Sequence, residues 1–171
     1  MLSLVKNILS HDRPAFFVFA ALSALALAGA LVAQFGYDLS PCELCLMQRA
    51  PFVAVILLSF IGLAYGRKHP KSGGVLLGLI ALAFFGNSAL AFFHTGVERH
   101  WWTSFSEGCT VPPMKGNITD VLAQIVANPV GRCDEIPWTD PVIGLSMANY
   151  NVLFCLILGM AALYALKHRA S

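Results

Sequence analysis

Four long apolar stretches, parted by short polar breaks and one long polar segment, set the pattern of this chain. A helix crosses the hydrocarbon core of a bilayer with about 20 mostly apolar residues. Residues 14–35, 46–65, 75–94 and 144–166 meet that requirement. The second stretch is short if it starts at Pro51, and it gains length by running back through Leu46 and Met47. The pattern predicts an all-α fold: a four-helix transmembrane bundle, one membrane domain over residues 1–171, with loops at 36–45 and 95–143.

The breaks carry their own signals. Gly36, Asp38, Ser40 and Pro41 interrupt the helical pattern in the first loop. Residues 66–74 are basic and glycine-rich, which suits a tight reversal between antiparallel helices. The second loop is long for a structureless connection, and loops of that length carry function or structure of their own. Within it Asn117 reads as an N-cap with Asp120 near the third helical position. Ile118, Val121, Leu122, Ile125 and Val126 then share one face of a short helix that ends near Asn128-Pro129. That face either lies in the bilayer interface or packs on the top of the bundle. Trp101, Trp102 and Trp138 flank the loop where aromatic anchors are expected.

Composition agrees: the 171 residues are 57% hydrophobic and only 12% charged, against about a quarter charged in soluble domains. The net charge of +2 is too small to suggest nucleic-acid binding. Seven of the eleven basic residues flank one side of the spans: Lys6, Arg13, Arg67, Lys68, Lys71, Lys167 and Arg169. That side is expected to be cytoplasmic, with both termini inside and both cysteine-bearing loops outside. Disulfides persist there. Residues 1–28 also have the charge and small residues of a signal peptide, but the apolar run continues to Phe35. That is long for a signal core of about 7–15 residues, so a retained first span is expected.

The chemistry lies in the cysteines. Cys42 and Cys45 are separated by two residues at the start of the second span. This spacing allows a small-ring disulfide that forms and breaks readily. A helix N-terminus and a nearby cation both favour the thiolate, which is the reactive species; Arg49 follows Cys45 by one helical turn. A guanidinium facing lipid without a partner is costly, so Arg49 is expected to have a task. The competing readings are a static disulfide or half of a metal site. A metal site needs further ligands, and the uneven spacing of Cys109 and Cys133 makes them poor candidates, so no metal is expected. Cys109 and Cys133 bracket the polar loop, as a structural staple or as an exchangeable disulfide beside the reactive pair. Cys155 lies inside the fourth span and reads as a small hydrophobe without a role. Asn87, mid-span, is expected to bond a neighbouring helix. His94 by spacing alone is an ordinary interfacial histidine, and Glu98, Arg99 and His100 read as a solvated loop start. Asn117-Ile118-Thr119 matches a glycosylation acceptor, a pattern frequent by chance and idle in a bacterium.

The run Pro41-Cys42-Glu43-Leu44-Cys45-Leu46-Met47-Gln48-Arg49-Ala50 resembles the bacterial disulfide bond formation protein B (DsbB) family of inner-membrane oxidoreductases. So do His94, Cys109, Gly131-Arg132-Cys133-Asp134-Glu135 with Trp138, and Gly144-Leu145-Ser146-Met147. The resemblance implies a protein-disulfide:quinone oxidoreductase that reoxidises a periplasmic thioredoxin-fold oxidase (DsbA) and passes electrons to ubiquinone or menaquinone. It implies that Cys109 is attacked by the partner, that Cys133 then attacks Cys42, and that Cys45 is freed beside the quinone. Arg49, His94 and Met147 are implied as quinone contacts. The sequence departs from some members at Gln48, where they carry an acidic residue, so a proton role there is in doubt. The loop before the fourth span is also slightly longer, which bears on Met147.

Two other readings compete. A vitamin-K-epoxide-reductase-like enzyme also sets a dithiol beside a membrane quinone, but with the reactive pair on a later span. A structural membrane protein with two static disulfides would show neither thiol exchange nor quinone dependence.

Overall fold

The computed structural model describes residues 12–65, 70–105, 109, 117 and 131–169. Among these are five helices and no strand: α1 (Asp12–Gly36), α2 (Glu43–Met47), α3 (Arg49–Tyr65), α4 (Pro70–Glu98) and α5 (Met147–His168). The short helix expected after Asn117 falls outside the described residues, as does the rest of the Asn-Ile-Thr pattern.

Four stretches are long and apolar enough to cross a membrane: Arg13–Gly36, Glu43–Tyr65, Lys71–Glu98 and Met147–His168. The second joins α2 and α3 across Gln48. Pro51 accounts for that break. Its nitrogen has no hydrogen to give the carbonyl of Met47, four residues back, so the helix restarts at Arg49 with proline in its first turn.

In a bilayer, helices associate through close packing rather than water exclusion. Phe16 and Phe19 of α1 meet Phe52 and Val55 of α3, with Leu77, Ile80 and Phe84 of α4 behind them. Gly62 lets Phe16 lie against α3: a Cβ there would sit 2.6 Å from the ring. At Gly159 of α5 a Cβ would meet the Phe85 ring at 3.0 Å. The main pairings are α4 with α5 and α1 with α3. Phe17, Leu25, Phe60, Leu82 and Ile157 point outward, as lipid-facing side chains should.

The expected turn at residues 66–74 is shorter than the sequence suggested. Lys71, Ser72, Gly73 and Gly74 are helical, within an α4 of 29 residues. Pro70 opens that helix, where its fixed φ fits the first position. At Gly74 the Arg169 guanidinium occupies the space a Cβ would take, 2.5 Å away. At about 1.5 Å per residue α4 is roughly 43 Å long, more than the hydrocarbon core of about 30 Å. Its far end therefore carries His94 and Glu98 to the rim.

Candidate functional site

The cysteine end of the bundle is built from the first loop, α2, the end of α4, the start of α5 and residues 131–138. Cys42 is the N-cap of α2, with extended backbone at φ −79° and ψ 170°. Its Sγ accepts the backbone N–H of Cys45 at 3.3 Å. Its thiol donates to Cys45 Sγ at 2.9 Å. Both are free thiols, Cys42 buried and Cys45 half-buried. The hydrogen bond to the Cys45 sulfur, and then burial, hold the Cys42 thiol far above the usual range. The Cys42 thiol therefore holds its proton tightly.

Cys109 and Cys133 are joined in a disulfide, 1% and 0% exposed. They pack in one cluster with Cys42, Leu44 and Val97. Gly131 makes this possible. It pairs with Cys42 in a parallel bridge, its N–H donating to the Pro41 carbonyl at 3.3 Å. A Cβ at Gly131 would overlap the Ser40 carbonyl. Arg132 holds Asp134 at 2.8 Å and Glu135 at 2.9 Å, which stiffens the segment beside Cys133. The Arg132 hydrogen bond keeps the Asp134 carboxyl below its usual range.

His94 arrives from α4. Its Nε2 lies 3.4 Å from Cys42 Sγ, and its Nδ1 2.9 Å from the Gln48 side-chain nitrogen. Gln48 is buried and its Oε1 accepts from Asn151 of α5 at 2.6 Å. Asn151 Oδ1 in turn accepts from the Cys155 thiol at 3.2 Å. Asn87 closes the network, donating to the Gln48 carbonyl at 3.2 Å and to Cys155 Sγ at 3.4 Å. Asn87 thus bonds two neighbouring helices, as expected of a mid-span amide. Cys155, read from sequence as inert filling, is a hydrogen-bonded member of this chain. Asn151 was missed; its only sequence signal was a second polar amide inside an apolar span.

Glu98 corrects the sequence reading. It is not solvated but 6% exposed. The Ser146 hydroxyl donates to its Oε2 at 2.6 Å, and His94 Nε2 is 3.9 Å from its Oε1. Ser146 is the N-cap of α5, with Asn149 completing a capping box. The turn before it uses Gly144 at φ +67°, where a side chain would be strained.

A cavity of about 910 Å³ opens beside the dithiol, within the range usual for small-molecule sites. Cys42, Cys45, Arg49, His94 and Met147 all line it. Its α1 wall is apolar, with Leu22, Leu25 and Leu27 beside Ala26, Gly29, Ala30 and Ala33, and nothing lies within 4 Å of a Cβ built at Gly29. Arg49 reaches across to Gln34 of α1, donating at 2.7 Å. A largely apolar trough whose polar end includes the Arg49 guanidinium, the His94 imidazole and the Cys45 thiol has a donor set for a flat, lipid-soluble ring bearing carbonyls. Cys109 and Cys133 are not among the lining residues; they sit behind Cys42.

The sequence model of the family described as disulfide bond formation protein DsbB matches residues 12–165. The chain belongs to the DsbB family. It is 31% identical to disulfide bond formation protein B of Azoarcus sp. (strain BH72), covering 97% of this chain and 95% of the relative. Similarity of 31% extends to the protein of the same name from Methylococcus capsulatus, over 93% and 95% of the two chains. A third such protein, from Herminiimonas arsenicoxydans, is 24% identical over 95% of this chain and all of its own length. Membership makes the chain a multi-pass membrane oxidoreductase acting in disulfide formation.

Proposed function

We propose that this DsbB-family chain oxidises a periplasmic thioredoxin-fold dithiol protein of the DsbA type and delivers the electrons to a membrane quinone, ubiquinone or menaquinone. The observation that carries the reading is the common cavity of Cys45, Arg49, His94 and Met147, with the Cys109–Cys133 disulfide packed behind Cys42. In this reading residues 1–171 form one membrane domain. Both termini are cytoplasmic, and the cysteine end faces the periplasm, following the basic residues.

The sulfur steps are disulfide exchanges. A partner thiolate attacks Cys109 Sγ, breaking its bond to Cys133 and freeing the Cys133 thiolate. Cys133 attacks Cys42 in a Cys42–Cys45 disulfide, and Cys45 leaves as a thiolate. The partner's second thiolate attacks its own bridged sulfur, which oxidises the partner and frees the Cys109 thiolate. Cys109 then attacks Cys133, re-forming Cys109–Cys133 and releasing Cys42, so the reduced sulfurs are those at 42 and 45. A quinone bound in the trough supplies the capacity for two electrons and two protons. The chain's own residues prepare that event. Arg49 and His94 orient the carbonyl ends, Met147 borders the ring, and Cys42 retains a proton while Cys45 faces the trough.

The test mixes purified chain, a reduced DsbA-type protein and a quinone analogue, and follows quinone absorbance. Cys45→Ala should abolish quinone reduction, and Cys109→Ala should abolish reaction with the partner. Arg49→Ala should raise the quinone Michaelis constant. Normal quinone-dependent turnover in both cysteine variants would overturn the assignment.

A further inference from the structure

A two-residue-spaced cysteine pair lacks the ligands to hold an ion, and folding supplies a third from 52 positions along the chain. Cys42 Sγ, Cys45 Sγ and a ring nitrogen of His94 all lie within 4.8 Å of one another. With metal–sulfur bonds of about 2.3 Å and metal–nitrogen bonds of about 2.0–2.1 Å, a tetrahedral site spaces sulfur and nitrogen ligands about 3.5 Å apart and two sulfurs about 3.8 Å apart. The Cys42–His94 distance of 3.4 Å already suits it. The two sulfurs, at 2.9 Å, need to part by about 0.9 Å, and Cys45 borders open space in the trough that allows this.

Three features prepare the ligands. The Cys45 N–H points at Cys42 Sγ, a bond that supports a thiolate. The second nitrogen of His94 is held by the Gln48 amide, which Asn151 anchors. Metal on Nε2 requires a proton on Nδ1 facing an acceptor, so the Gln48 amide, which presents N–H to Nδ1, and the Asn151 amide, which donates to Gln48 Oε1, turn over together on binding. All three ligands face the trough, so a water can complete the fourth position.

We propose that reduced Cys42 and Cys45 with His94 bind one thiophilic d10 divalent ion, Zn²⁺ or Cd²⁺, and that the ion blocks the dithiol. Two metal–sulfur bonds form, two thiol protons are released and no electron moves. Forming the Cys42–Cys45 disulfide removes both thiolate ligands, so binding is confined to the reduced state. Soft thiolates with imidazole select such ions over hard cations. The inhibitory consequence rests on the redox role proposed above; the binding does not.

The test uses the full chain in detergent, freed of quinone and carrying Cys109→Ser and Cys133→Ser so that only one pair changes redox state. Reduced protein should take up one Cd²⁺ or Zn²⁺ and release two protons, and the oxidised form should take up none. X-ray absorption of the zinc-loaded wild-type chain, which does not depend on that variant's folding, should report sulfur together with imidazole nitrogen. His94→Ala should weaken binding about tenfold or more. Equal binding by oxidised protein, sulfur-only ligation, or unchanged affinity in His94→Ala would overturn the site. Quinone reduction is assayed separately after chelation. A chain that binds the ion yet stays inactive after its removal tells against the proposed function, and an active chain that binds no ion tells against this site alone.

Discussion

Cys42 and Cys45 are chemically unequal although the sequence writes them alike. Cys42 is 4% exposed and donates its proton to Cys45, which borders the trough. Iodoacetamide should therefore modify Cys45 well before Cys42 at pH 7–8, a difference that mass spectrometry of the peptide would show. The sign of the shift also fixes a pH trend. A thiol raised on folding contributes stability that is fully present below the ordinary cysteine value and is lost as pH climbs towards the folded one. Thermal unfolding of the reduced protein should accordingly shift to lower temperature on alkaline titration, and less so for Cys42→Ala. Gln48 offers a second residue-level test. Gln48→Leu keeps the bulk but strips partners from His94 and Asn151. Leaving buried polar groups unmatched costs about 1–3 kcal/mol, readable as a lowered melting temperature in detergent.

At the scale of elements, the α1–α3 contact depends on the absence of a side chain. Phe16 lies on Gly62, and Gly62→Ala drives a methyl into the ring. Overpacking of this kind costs about 1–3 kcal/mol. Adding Phe16→Leu should recover part of the loss, and a double-mutant cycle on thermal stability would measure the coupling. Additive effects would show that the two residues do not press on each other. The break between α2 and α3 has equal weight for the site. Pro51 ends the continuous ladder and gives the dithiol a short helix of its own, and at the break the Gln48 carbonyl accepts from Asn87.

Across the whole molecule, the loop disulfide and the dithiol meet through backbone contact at Gly131. Gly131→Val should push residues 131–133 away from residues 40–42. The expected result is slower oxidation of the partner, with direct reduction of quinone by a small dithiol reagent little changed. Equal slowing of both reactions would mean that the substitution disturbs the trough rather than the docking of Cys133. The burial of both Cys109 and Cys133 is a further property that the chain pattern did not announce.

Apolar run length alone determined the helical class and the membrane, because no other structure satisfies its backbone over such stretches in lipid. The spacing of Cys42 and Cys45 and the position of Arg49 were likewise legible, since one helical turn is a local property. The convergence of His94, Gln48 and Asn151 on the dithiol was not, because contacts between residues far apart in the chain leave no periodic trace. Nor was the burial of Glu98, which follows from α4 extending past the hydrocarbon to meet the Ser146 cap. Tertiary structure decided which polar groups share one end of the bundle, since only packing between helices sets their relative depth and rotation.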